Sequence, residues 1–104
     1  MDSSTGIDLH LRIRVMPGRR EEFLEFLREA TAFYEQPGGI RIELLSELHD
    51  SHRFIEVVHY DNEQAYQTDQ KRVSDDAAMK AFLTRWRALL AEPPVVEVYR
   101  LGRF

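Results

Sequence analysis

Residues 7–40 read IDLHLRIRVMPGRREEFLEFLREATAFYEQPGGI, and this stretch decides the fold. Ile7, Leu9, Leu11, Ile13 and Val15 take the odd positions; Asp8, His10, Arg12 and Arg14 take the even ones. Period two predicts a strand over residues 7–15 with one apolar face. Met16-Pro17-Gly18 stops it. Pro17 suits the first turn of a helix, where its missing N–H costs nothing, and Glu21 and Glu22 follow near the positive helix end. Phe23, Phe26, Leu27, Ala30, Phe33 and Tyr34 then recur at helical spacing and form one stripe. Gln36-Pro37-Gly38-Gly39 ends the helix, with Gly38 expected as its C-cap. Strand, Pro-Gly, helix, Pro-Gly-Gly, strand is half of a small α+β domain.

The rest of the chain repeats that order. Ile40 to Leu48 and Arg53 to Tyr60 are two β-type runs, joined by His49-Asp50-Ser51-His52 as a hairpin turn. Asp61 is the expected N-cap of a short helix over 62–70, with Gln64 three residues on as a weak capping box. Ser74, followed by Asp75 and Asp76, predicts a second helix start. Met79, Phe82, Leu83, Trp86, Leu89 and Leu90 supply its apolar stripe, and Pro93-Pro94 ends it. Val95 to Leu101 is the last strand, with Phe104 at the terminus.

The order β-α-β-β-α-β is the ferredoxin-like plan: one antiparallel sheet with the helices on one face. Strands three and four are apolar at nearly every position, through Phe54, Ile55, Val57 and Val58, and Val95, Val96, Val98 and Tyr99. Strands apolar on both faces are buried on both faces, and one helical layer covers only one. A second copy of the sheet is the simplest cover, so a homodimer is expected.

A chain of 104 residues, 43% hydrophobic and 31% charged, is one globular domain over 1–104, with residues 1–6 expected as a flexible N-terminus. The net charge is −4 with acids and bases interspersed, which argues against a nucleic-acid partner. The absence of Cys excludes disulfides, thiolate nucleophiles and Cys-ligated metal centres. No secretory signal is visible, and no apolar run approaches the roughly 20 residues that span a bilayer. A cytoplasmic protein without membrane contact is the expectation.

Three segments carry a family resemblance: Arg12-Ile13-Arg14-Val15-Met16-Pro17-Gly18, Gln36-Pro37-Gly38-Gly39, and Arg53 to Tyr66. By their order and spacing the chain, over roughly residues 7–101, resembles the antibiotic-biosynthesis-monooxygenase-like branch of the dimeric α+β barrels. The resemblance implies a homodimer with facing sheets and a cavity in each subunit between sheet and helices. Some members of that family oxygenate phenols, quinols or polyketide aromatics without metal or flavin; others degrade haem, and related barrels cyclise polyketides. Many members have Trp at the end of strand three, where this chain has Tyr60, and His in the following helix, where counting from Ala65 gives Asp69. The Asn of the haem-degrading branch has no counterpart in strand one, so that branch is set aside.

Cofactor-free oxygenation needs a substrate anion that can reduce O₂, hence a general base and an apolar pocket. His59, beside Tyr60 in strand three, is the first candidate base, and His10 the second. Arg12 could hold a phenolate, and Tyr60, Tyr66, Asp69 and Trp86 complete the expected substrate-binding set. In the structural alternative, His10, Arg12 and Arg14 line a polar or dimer-facing strip with Glu56 and Glu97 as cross-strand partners. His49 and His52 read as an exposed turn, because metal sites want three or four convergent ligands. Asp69-Gln70-Lys71-Arg72 reads as a solvated linker, or a cavity lid. The expected function is a cofactor-independent monooxygenase-like activity on a small aromatic, quinol or polyketide-like substrate, with no cofactor and no metal. The alternatives are a polyketide cyclase-like catalyst and a non-enzymatic small-molecule-binding domain.

Overall fold

The computed structural model describes residues 5–102. Its elements are β1 (Ile7–Arg14), α1 (Arg20–Tyr34), β2 (Ile40–Ser46), β3 (Arg53–Tyr60), α2 (Glu63–Asp75), α3 (Ala77–Arg87) and β4 (Val95–Arg100). The four strands form one sheet in the order β2-β3-β1-β4, antiparallel at every junction. This is the ferredoxin-like α+β fold. Phe104, and residues 1–4 of the expected flexible terminus, lie outside the described residues.

Register divides the side chains between two faces. Ile7, Leu9, Leu11 and Ile13 stand opposite Tyr60, Val58, Glu56 and Phe54 on the helix-covered face. Asp8, His10, Arg12 and Arg14 stand opposite His59, Val57, Ile55 and Arg53 on the other. The core lies between the first face and the helices. Phe23, Phe26, Leu27, Ala30 and Tyr34 of α1 pack with Ile13, Val15, Phe54, Met79 and Trp86, and the Phe23 and Phe54 ring centroids are 5.1 Å apart.

The boundaries correct several sequence expectations. Pro17 lies in a turn ahead of α1: Arg19 N–H donates to Met16 O at 3.0 Å, and Gly18 has φ +80°. Pro followed by a left-handed Gly is the composition of a type II turn, which uses up Pro17 before the helix begins. Gly38 is not the C-cap of α1. Glu35 takes that position in a right-handed conformation, and Gly38 and Gly39, at φ +83° and +72°, turn the chain into β2. Asn62, not Asp61, caps α2, accepting from Ala65 N–H at 2.9 Å.

The largest correction concerns α2, which continues past Gln70 to Asp75. Asp76 then serves as N-cap of α3, with Oδ1 accepting from Met79 N–H at 2.9 Å. Ser74 does not start a helix; its hydroxyl donates to Gln70 O in the last turn of α2. The run Asp69 to Arg72 is therefore helical, and Asp69 is buried.

β4 behaves differently from β3. Phe54, Glu56, Val57, Val58 and Tyr60 of β3 are buried, whereas Val95, Val96, Val98 and Tyr99 of β4 are about half exposed on both faces. Among the described residues, no helix is long and apolar enough to cross a membrane.

Candidate functional site

A cavity of about 80 Å³ lies between the sheet and the helices. The sheet contributes Leu9 and Leu11 from β1, Ile40 and Ile42 from β2, and Glu56, Val58 and Tyr60 from β3. Tyr34 comes from α1; Asp69, Gln70 and Val73 from α2; Met79, Leu83 and Trp86 from α3. Strand alternation explains the sheet wall: each contributes every second residue, and those positions are apolar except Glu56 and the hydroxyl of Tyr60.

Glu56 is 3% exposed. Among the described residues its hydrogen bond comes from Trp86 Nε1, 3.1 Å from Oε1. Burial raises the carboxyl pKa to about 7, and the Trp86 donor pulls only weakly the other way. A carboxyl poised near neutrality can take a proton from a ligand or return one.

Toward α2 the wall is a polar latch. Tyr60 Oη donates to Asp69 Oδ2 at 2.6 Å. Asp69 Oδ1 accepts from Arg72 Nη2 at 3.1 Å and Nε at 3.3 Å. Arg72 also donates to the carbonyls of Phe33 at 3.0 Å and Tyr34 at 2.7 Å, at the end of α1. Burial first, and then the hydrogen bond to Asp69, raise the Tyr60 phenol above its ordinary pKa. Burial does the same for Tyr34. Both phenols therefore stay protonated at neutral pH.

Of the expected site residues, Tyr60, Asp69 and Trp86 border this cavity. Tyr66 stands behind Tyr60, with ring centroids 5.4 Å apart, and does not line it. His59, His10 and Arg12 are on the opposite face of the sheet, and this corrects their expected position. Successive residues of a strand point to opposite faces, so His59 cannot share the side of its neighbour Tyr60. His59 instead contacts Asp8 through Nδ1 at 2.9 Å and Glu43 through Nε2 at 2.7 Å. His10 packs edge-on against Tyr99, centroids 5.0 Å apart. Arg12 donates to Glu97 at 2.9 Å, an exchange that raises the Arg12 pKa and lowers that of Glu97.

Glu97 is thus a cross-strand partner on the open face, whereas Glu56 faces the helices and pairs with none of these cations. The linker reading of Asp69 to Arg72 is corrected in the same way, since both residues are tied into the cavity wall. His52 contacts Ser51 through Nδ1 at 3.2 Å, and His49 is exposed in the turn. Among the described residues no cluster of three His, Asp or Glu could hold a metal ion. Glu56 was the residue missed as a site candidate. Its signal was parity: in residues 54–60 the even positions are Phe, Glu, Val and Tyr, so one carboxylate shares an apolar face.

Comparison with known proteins adds to this geometry. Residues 7–72 match the antibiotic biosynthesis monooxygenase family. Among curated proteins, none matches the sequence. Solved structures of similar fold include a conserved protein from Methanosarcina mazei Go1, with 15% identity, TM-score 0.80 and coverage of 97% of both chains. PA3566 from Pseudomonas aeruginosa has 25% identity and TM-score 0.68, covering 98% of this chain and 97% of its own. A mutant of SnoaB, a cofactor-independent oxygenase from Streptomyces nogalater, has 18% identity and TM-score 0.72, covering 94% and 92%. At these identities the likeness is one of fold.

Proposed function

The chain belongs to the antibiotic biosynthesis monooxygenase family, and from that premise we propose that it is a cofactor-independent monooxygenase acting on a small phenol or quinol. The observation that carries this reading is Glu56, a carboxyl whose hydrogen bond among the described residues comes from Trp86 and not from a cation, with a pKa raised to about 7, on the wall of a mostly apolar cavity.

The chemistry follows from the residues. A phenol with its hydroxyl at Glu56 gives its proton to the carboxylate. The phenolate lacks water around it and is electron-rich enough to transfer an electron to O₂. Recombination forms a carbon–oxygen bond at the ring, and loss of water leaves a carbonyl. One oxygen atom of O₂ ends in the product and the other in water. Trp86 Nε1 holds Glu56 in place, while Tyr60 and Tyr34, still protonated, offer polar groups without competing as bases.

Size sets the substrate class. Pockets for drug-sized ligands run to roughly 300–1,000 Å³ and an apolar cavity of roughly 150 Å³ holds benzene, so a cavity of about 80 Å³ limits the substrate to a single ring, admitted only as the wall moves outward. Oxygen consumption over a panel of single-ring phenols and quinols tests the reading. Turnover by the natural chain and none by Glu56→Gln is the expected result; full activity in Glu56→Gln would overturn it. The small volume also favours a second reading, a binding domain without catalysis. Saturable binding without oxygen uptake would establish that reading, and a cyclase would turn over its substrate without consuming O₂.

The protein is further proposed to be a homodimer with its sheets face to face. Support comes from the open face of β4, where Val95 and Tyr99, opposite Arg12 and Asp8 of β1, are about half exposed. In this arrangement His10, Arg12 and His59 belong to the subunit interface and act in assembly rather than turnover.

A further inference from the structure

Helix α2 has one buried residue along 13, and that residue is the carboxylate Asp69. An amphipathic helix normally docks by an apolar stripe. Here the apolar contacts come only from the partly buried Ala65, Tyr66 and Val73, and the buried position is tied by the bonds of Asp69 to Tyr60 and Arg72, and of Arg72 to the end of α1. Segments with few buried apolar groups open at lower free energy than the core. The helix also ends on a break, since Asp76 between α2 and α3 is extended at φ −89°, ψ 120°.

A second concavity, of about 300 Å³, lies outside the latch, between the Pro37–Gly39 turn and the start of α2. Ile40 and Asp69 line both this recess and the apolar cavity. The two spaces are separated by little more than the Asp69 side chain and its partners.

We propose that α2 is a lid over the cavity, that the Tyr60–Asp69–Arg72 bonds are its latch, and that ligands reach Glu56 from the recess beneath the Pro37–Gly39 turn. The route rests on the cavity being a ligand site; the lid does not. Asp69 is then a gating residue rather than a catalytic one.

Hydrogen exchange tests the lid without any ligand. In the natural chain, amides of residues 63–75 should exchange by local opening at least about tenfold faster than the core amides of β1 and β3 and with little dependence on denaturant, and Asp69→Asn should speed α2 further by about tenfold. Exchange of α2 only through the global unfolding that exposes β1 and β3, or a rate unchanged in Asp69→Asn, would overturn the lid.

The route is tested by locking it. A Cβ placed on Gly39 lies 3.4 Å from Ala65 Cβ, near the roughly 3.8 Å of a disulfide. Gly39→Cys with Ala65→Cys, in a chain with no other cysteine, would pin α2 to the turn when oxidised. The reduced form is its own control for strain at Gly39, where φ is +72°. Trp86, the sole tryptophan, lines the cavity, so quenching of its fluorescence by 4-nitrophenol, held below its pKa, reports uptake in stopped flow. Slow uptake when oxidised, restored by reductant, is the expected result. Equal rates in both forms would overturn the route. Absence of quenching in the natural chain would instead sink the cavity as a ligand site, and with it the route, leaving the lid to be decided by exchange.

Discussion

Tyr60 and Asp69, nine residues apart, are hydrogen-bonded to each other at 2.6 Å in the wall of the cavity. They are also the two positions at which the chain departs from the Trp and His that its family resemblance leads one to expect. The departures form one unit: a phenol that donates and a carboxylate that accepts. Tyr60→Phe leaves a buried carboxylate oxygen without its donor and should destabilise the fold by about 1–3 kcal/mol. A double-mutant cycle with Asp69→Asn, followed by urea unfolding, should give a coupling energy of about 0.5–3 kcal/mol. Strict additivity would show that the two side chains do not act together.

Glu56 makes stability depend on pH in the direction opposite to most carboxylates. Its folded pKa is about 7, above the 4.5 of an ordinary glutamate. The folded state therefore binds more protons than the unfolded state between those values. Stability from this group is complete below the unfolded pKa and is lost as pH rises through about 7. The difference corresponds to about 3 kcal/mol at alkaline pH. Glu56→Gln, which carries no charge, should be more stable than the natural chain at pH 8.5 and nearly equal to it at pH 4. Thermal unfolding across that range checks the prediction, and parallel curves for the two proteins would refute it.

The break between α2 and α3 depends on Asp76, whose carboxylate caps the Met79 amide at 2.9 Å. Asp76→Ala should cost about 1 kcal/mol, the usual loss for an N-cap. Asp61→Ala, one residue ahead of the true cap of α2, should cost less than Asn62→Ala. Chemical denaturation of the three variants ranks them.

The fold was legible because backbone chemistry announces itself locally. Pro17-Gly18 and Pro37-Gly38-Gly39 bracket α1, and period-two alternation identifies β1 without reference to anything distant. The site was legible only in part. His59 was placed by its neighbour in sequence, although the pleat sends Tyr60 and His59 to opposite faces. Applying the same parity to residues 54–60 would have turned Glu56 inward. The burial of Asp69 and Arg72 was hidden for a different reason. A run of polar residues reads as solvated, and only the approach of the α1 end, with its free carbonyls at Phe33 and Tyr34, makes burial of the pair favourable.

The position of His59 makes a direct prediction about catalysis. It bridges Asp8 and Glu43 on the open face and has no access to the cavity. His59→Ala should leave turnover of any accepted phenol unchanged while Glu56→Gln abolishes it. The reverse pattern would move the chemistry to the other side of the sheet.

Tyr99 tests the assembly. It lies on the open face of β4, 47% exposed in the single chain, beside His10. With the sheets packed face to face, its ring and Val95 on the same face would be covered by the second subunit. Tyr99→Asp would then bury a carboxylate next to Glu97, without a cation to spare, since Arg12 is already engaged by Glu97. Burying an unpaired charge is strongly unfavourable, so the variant should be a monomer by light scattering at concentrations where the natural chain is a dimer. Lys80→Asp, exposed on α3, makes a larger charge change away from that face and should leave the mass unaltered. A monomeric natural chain, or a Tyr99→Asp variant that stays dimeric, would show that the open face is not the interface. The exposed apolar strand β4 would then need another cover.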